Sequence, residues 1–285
     1  MNGNVSLLDE QERQRLEGGE SASVTVEPPL ILRCQTLKPE NPDDEPSPED
    51  RQARVPGFSQ AALSGLTVLL VGAGALGGEI AGGLVRKGVG TLKILDFDTV
   101  SLSNLNRQFF FARDVYTPKA WALARNLAPH GVMGTTIVAH NLSFENAQEG
   151  GVDLCCDVIV SAVDDGQTRI ALAKLGLDQR LPVVFGGASI TADFANLFVQ
   201  EVDGPCFGCA FPDELDGQRT PCPGSPAIKD LFMQLGGLMV YAIDTLFMER
   251  RRTWTLHTLS PADAAFTRSG RIERRADCPI CGDDP

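Results

Sequence analysis

Residues 67–96 read TVLLVGAGALGGEIAGGLVRKGVGTLKILD, and their order decides the fold. TVLLV (67–71) is a continuous apolar run, the pattern of a parallel strand covered on both faces. Residues 75–87 place Leu76, Ile80, Leu84 and Val85 near helical spacing, and Gly88 can cap the end. TLKILD (91–96) reads as a second strand. Between the first strand and the helix, GAGALG fits G-x-G-x-x-G at Gly72, Gly74 and Gly77. Such glycines tighten the turn and let a phosphate approach backbone amides at the helix N-terminus. Asp96 ends the second strand, where a carboxylate can accept hydrogen bonds from ribose hydroxyls. All this fits NAD as well as ATP.

The alternation continues outward. KAWALARNLA (119–128) is a helix opened by Pro118, TTIVAH, CDVIVSAV and PVVFGGA are strands, and QTRIALAKLGLDQ (167–179) is helical. After Gly187 the rhythm changes: SITADFANLFVQEV alternates like antiparallel strands, residues 228–251 form one long helix, and WTLHTLS and FTRSGRIERR close as strands. The expected fold is α/β, a Rossmann-like doubly wound, mostly parallel sheet extended by antiparallel strands, with a C-terminal zinc-binding element.

The segment after the second strand, DFDTVSLSNLNRQ (96–108), separates the two nucleotides. Hydride transfer gives little reason to gather Asn104, Arg107 and Gln108 here. Phosphoryl chemistry does, because cationic side chains stabilise charge developing on phosphate and pyrophosphate. Lys119 supplies a second cation. In CDVIVSAVDD, Asp164 and Asp165 follow a core strand at the edge where ligands bind in open α/β sheets. Asp164 is expected to hold magnesium, and Asp165 to cap the next helix or contact the nucleotide.

Eight cysteines are present. CFGC (206–209) and CPIC (278–281) are two C-x-x-C pairs, and Cys206, Cys209, Cys278 and Cys281 together can form a closed tetrahedral zinc site. Cys222, in RTPCPGSP, lies in a Pro/Gly-rich loop as a candidate exposed nucleophile. Cys155 and Cys156 are read as strand residues of the core, and Cys34 is unassigned.

GAGALG, LDFDTVSLSNLNRQ, PKA and SAVDD together resemble the adenylation domain shared by the ThiF/MoeB/HesA proteins and the ubiquitin-activating enzymes, from about residue 51 onward. The resemblance implies ATP-dependent activation of the C-terminal carboxylate of a ubiquitin-like protein ending in Gly-Gly, and a homodimer. It places ATP contacts at Gly74, Ala75, Asp96, Ser103, Asn104, Arg107, Lys119, Asp164 and Asp165. It also implies that Arg51, or its neighbour Arg54, reaches the partner's ATP, and that a cysteine near Cys222 accepts the acyl group. Ala75 and Asp165 depart from residues often found in the family, and Pro221 and Pro223 are unusual neighbours for Cys222. The segment 1–50 and these surroundings favour protein conjugation, with a conjugating enzyme as a further partner. Sulfur-carrier activation for cofactor or tRNA thiolation is the alternative, and an NAD-dependent oxidoreductase a more distant one.

The bulk numbers agree with a globular chain. Of 285 residues, 43% are hydrophobic and 22% charged. A formal charge of −12 argues against nonspecific binding to nucleic acid or anionic membranes. The apolar run 235–247 is too short for a bilayer span and carries Asp244. The N-terminus lacks the pattern of a secretory signal, so a cytoplasmic location is expected. Residues 1–50 are read as a partly disordered N-terminal extension, with the Pro- and acid-rich KPENPDDEPSPED as a linker, and residues 51–285 as the adenylation domain.

Overall fold

The computed structural model describes residues 24–41, 45–216 and 226–282. Its strands are β1 (Leu30–Arg33), β2 (Thr67–Val71), β3 (Thr91–Leu95), β4 (Thr136–His140), β5 (Val158–Ser161), β6 (Val183–Ala188), β7 (Ala195–Gln200), β8 (Leu256–Leu259) and β9 (Arg268–Gly270). The helices are α1 (Asp50–Ala53), α2 (Gln60–Gly65), α3 (Ala75–Lys87), α4 (Lys119–Leu127), α5 (Phe144–Glu149), α6 (Gly166–Asp178), α7 (Phe207–Ala210) and α8 (Lys229–Phe247). One sheet runs through the chain in the order β1-β4-β3-β2-β5-β6-β7-β8-β9. Strands β4, β3, β2, β5 and β6 are parallel. β1 joins one edge antiparallel, and β7, β8 and β9 extend the other edge antiparallel.

The apolar run of β2 is buried on both faces, as its continuity requires. Val68 and Leu70 enter a core shared with α3, α4 and α8, while Leu69 and Val71 enter a second core with Phe144, Leu172 and Phe198. The chain winds from β2 to β3 and β4 on one side, then returns to place β5 and β6 on the other. The reversal of direction lies between β2 and β5, and ligands of open α/β sheets bind at the carboxyl ends of strands at such a point.

Several elements differ from the sequence reading. The stretch SVTVEPPLILRCQTL (23–37) reads as a possible strand, but among the described residues it pairs with β4 only at Leu30–Arg33, and Thr36 makes an isolated bridge to Met133. Cys34 is buried against Gly131, where a Cβ would overlap its sulfur. Cys155 and Cys156 lie outside the strand, since β5 begins only at Val158, although Cys156 packs against the edge of the second core. Cys155 is exposed, and its N–H donates to Asp153 Oδ1 in the preceding turn. Cys156 is half-buried, and burial pushes its thiol up to about 11.

The long helix α8 stops at Phe247, not Arg251, because Met248 turns extended. Arg250 then folds back 2.5 Å onto Asp244, a fully buried carboxylate that Lys87 also contacts at 2.6 Å. By length and hydropathy, α8 alone among the helices of the described residues could cross a bilayer. Here it packs against α3 and the sheet with Leu235, Met239 and Ile243 in the core.

Candidate functional site

The glycine loop leaves the end of β2 held between its neighbours. Gly72 N–H donates to the Leu95 carbonyl and Ala162 N–H to that of Val71. Gly72 has φ +100°, and a Cβ there would lie 2.6 Å from the Ala162 carbonyl oxygen. At Gly77 a Cβ would overlap the Gly72 carbonyl oxygen, so the first and third glycines are demanded by the turn itself. Gly74, the N-cap of α3, differs: a Cβ would meet nothing within 4 Å. Neither turn nor packing requires glycine there, whereas a phosphate approaching the helix N-terminus would.

Asp96 sits beside this loop at the end of β3. Its Oδ2 accepts from Ala73 N–H at 2.7 Å and its Oδ1 from Asp98 N–H at 2.8 Å. Burial pushes its carboxyl above the ordinary 3.8, against the opposing pull of Lys119 and those two N–H donors. Lys119 opens α4, where a cation meets the positive end of the helix dipole. Asp98 offsets that cost: its Oδ2 accepts from Lys119 Nζ at 2.7 Å, and its carbonyl from Lys119 N–H at 2.8 Å. Asp98 is about half exposed. A triphosphate could therefore replace it as the anion facing Lys119.

The polar run between Asp98 and Lys119 is a closed loop. Val100 N–H donates to Thr117 and Tyr116 N–H to Val100, and Asn126 of α4 ties the loop's far side by donating to the Phe109 carbonyl and to Asp114 Oδ2. Buried Asn104 accepts from Ser101 N–H, and the hydroxyls of Ser101 and Ser103 are 2.9 Å apart. Arg107 Nη1 donates to the Ser103 carbonyl and to Asn106 Oδ1, which folds the guanidinium onto its own loop. Gln108 Oε1 is buried with no hydrogen-bond partner among the described residues.

Across the switch point, Asp164 is exposed and makes no hydrogen bond or ion pair to the described residues. Asp165 is the N-cap of α6, its Oδ2 accepting from Thr168 N–H and hydroxyl, both at 2.8 Å. The free carboxylate is thus a ready oxygen ligand for a hard cation, and its neighbour is committed to the helix. Sequence reasoning missed Asp98 and Arg169. Arg169 donates through Nε and Nη2 to the Val163 carbonyl and through Nη1 to Glu214 Oε2. Asp98 carried a signal in the alternating acids of DFD; Arg169, inside a helical pattern, carried none.

Arg51 lies elsewhere. Its side chain is 89% exposed, on a helix whose Gln52 donates to the Lys87 carbonyl at the C-terminal end of α3. The glycine loop is at the other end of that helix, about 20 Å away for 13 residues. Arg54, the competing candidate, is paired with Asp50 at 2.7 Å. Cys222 lies outside the described residues.

The four sulfurs of Cys206, Cys209, Cys278 and Cys281 lie within 4.8 Å of one another, and all four residues are buried. The nearest pairs, Cys206–Cys278 and Cys209–Cys281, are 3.5 and 3.4 Å apart. Bonded sulfurs would be about 2.05 Å apart, whereas sulfurs around a tetrahedral ion at ~2.3 Å stand about 3.8 Å from one another. The donor set therefore fits a four-coordinate metal. Leu177, near the end of α6, packs against the cluster, which places it at the opposite end of that helix from Asp165.

The model of the ThiF family matches residues 49–280. The chain belongs to the ThiF family. Among curated relatives of this ThiF-family chain, "Adenylyltransferase and sulfurtransferase MOCS3" of Caenorhabditis briggsae is 30% identical over 244 residues, covering 82% of this chain and 60% of that protein. "Sulfur carrier protein adenylyltransferase" of Thermus thermophilus is 29% identical over 235 residues, covering 79% of this chain and 86% of that protein. Among solved structures, E. coli MccB crystallised with succinimide has a TM-score of 0.65 at 18% identity, covering 78% of this chain and 69% of that one. That likeness is one of fold.

Proposed function

We propose that the chain is an adenylyltransferase that uses ATP to activate the C-terminal carboxylate of a small ubiquitin-like protein ending in Gly-Gly. What supports this reading is the set of groups along the switch-point edge: the open approach at Gly74, the Asp96 carboxylate, Lys119 and the exposed Asp164. Asp96 would hold the ribose. Asn104, Arg107 and Lys119 would face the phosphates, with Ser103 and Ala75 lining the nucleotide, and Asp164 would hold magnesium, whose charge screens the phosphate oxygens. The carboxylate oxygen of the carrier attacks the α-phosphorus, the bond to the β-phosphate oxygen breaks, and pyrophosphate leaves. The product is an acyl-adenylate. Lys119 and Arg107 stabilise the charge that moves onto pyrophosphate, as preorganised cations do best in a partly buried site.

The relatives' names favour a sulfur carrier over a conjugated modifier, although the segment 1–50 and the surroundings of Cys222 point the other way. A thiolate at Cys222 could then take the acyl group from AMP as a thioester. Zinc is the metal best matched by four buried thiolates, with no open coordination position, and its part is structural. A homodimer would give Arg51 its only route to a nucleotide, that of the partner, given its place at the far end of α3. Incubation with magnesium-ATP, labelled pyrophosphate and a Gly-Gly-ended sulfur-carrier protein tests the reading. Carrier-dependent label in ATP is expected, and its absence with NADH binding in its place would restore the oxidoreductase.

A further inference from the structure

A guanidinium grips the backbone one residue before Asp164. Arg169 points back past the start of α6, and its side chain is only 14% exposed. Nε and Nη2 grip the Val163 carbonyl at 3.1 and 2.9 Å, one residue before Asp164, while Nη1 is braced at 2.9 Å by Glu214 in the turn 212–216. Room for the group comes from β6. A Cβ at Gly187 would stand 2.5 Å from Nη2, and the three atoms nearest to it all belong to this guanidinium. Asp164 itself has no partner among the described residues, and Asp165 is spent on the cap. The loop position of Asp164 is therefore carried by its backbone, which the forked hold on Val163 grips on one side and the Asp165 cap on the other.

We infer that Arg169 is a positioning residue for magnesium: braced by Glu214 and admitted by Gly187, it holds the Val163 carbonyl so that Asp164 meets the metal on ATP. The inference rests on the adenylation reading. Arg169→Lys keeps the charge but loses the two-pronged grip. Gly187→Ala displaces the same guanidinium from a different strand and removes no functional group.

The test is calorimetric titration of the full chain with ATP, once in EDTA and once in magnesium, with hydrogen exchange of the amides around 162–166 alongside. In both variants, magnesium should tighten ATP binding about tenfold less than in the wild type, the scale of losing an outer-shell partner. Affinity in EDTA should stay unchanged, and exchange around 162–166 should quicken. A variant that folds poorly would instead lose affinity equally in EDTA and magnesium, and that pattern in both variants overturns the inference. So does undiminished tightening by magnesium. A wild type that binds no ATP under either condition overturns the adenylation reading, and the inference with it.

Discussion

Gly74 and Gly77 share one motif and answer to different constraints. Gly77 is packed against the Gly72 carbonyl, so Gly77→Ala should destabilise the fold by about 1–3 kcal/mol, the cost of overpacking. Gly74 faces open space, so Gly74→Ala should leave the denaturant midpoint unchanged while weakening ATP binding. Titration and unfolding on the same two variants separate the roles. Lys119→Ala should lower adenylation by about 10²–10³, as removal of one electrostatic stabiliser does, and cost little stability because Asp98 returns to water. The raised carboxyl of Asp96 adds a pH dependence. If the ionised form holds the ribose, affinity is full above that raised value and is lost as pH falls through it, at a higher pH than for an ordinary aspartate. Asp96 was legible in the sequence because it ends a strand. Its tie to Ala73 and the Asp98–Lys119 pair, 21 residues apart, were not, since a side chain's partner depends on how the loop closes.

Elements with a strong local pattern form where their residues indicate. The span 67–71 is a strand and 75–87 a helix, because one is apolar throughout and the other has helical spacing bounded by Gly74 and Gly88. Ends set by distant contacts were not legible. α8 stops at Phe247 because Arg250 turns back to Asp244, and residues 153–157 stay outside β5 while Lys93 pairs with Asp153 across 60 positions. The Asp244 cluster joins α3, α8 and the segment after it. Asp244→Asn would leave Lys87 and Arg250 facing each other around a buried amide. Both cations remain about a quarter exposed, so the loss should fall at the lower end of that for a broken buried pair, about 3 kcal/mol. Urea unfolding measures it.

In the whole molecule, the candidate nucleotide edge and the cysteine cluster lie at opposite ends of α6. The two C-x-x-C pairs are 72 positions apart, and a metal between them would close that span of chain. Chelation should therefore lower the melting temperature and quicken amide exchange around 206–210 and 275–282, while leaving ATP affinity nearly unchanged. Parallel loss of ATP binding would mean the two ends are coupled.

The central claim concerns chemistry at the switch point, and pyrophosphate exchange reads that chemistry directly. With magnesium-ATP and a Gly-Gly-ended sulfur-carrier protein, label from pyrophosphate should enter ATP, only when the carrier is present, and Asp164→Ala should abolish it. Exchange that persists undiminished in Asp164→Ala, or that ignores truncation of the carrier's terminal glycines, would contradict the account.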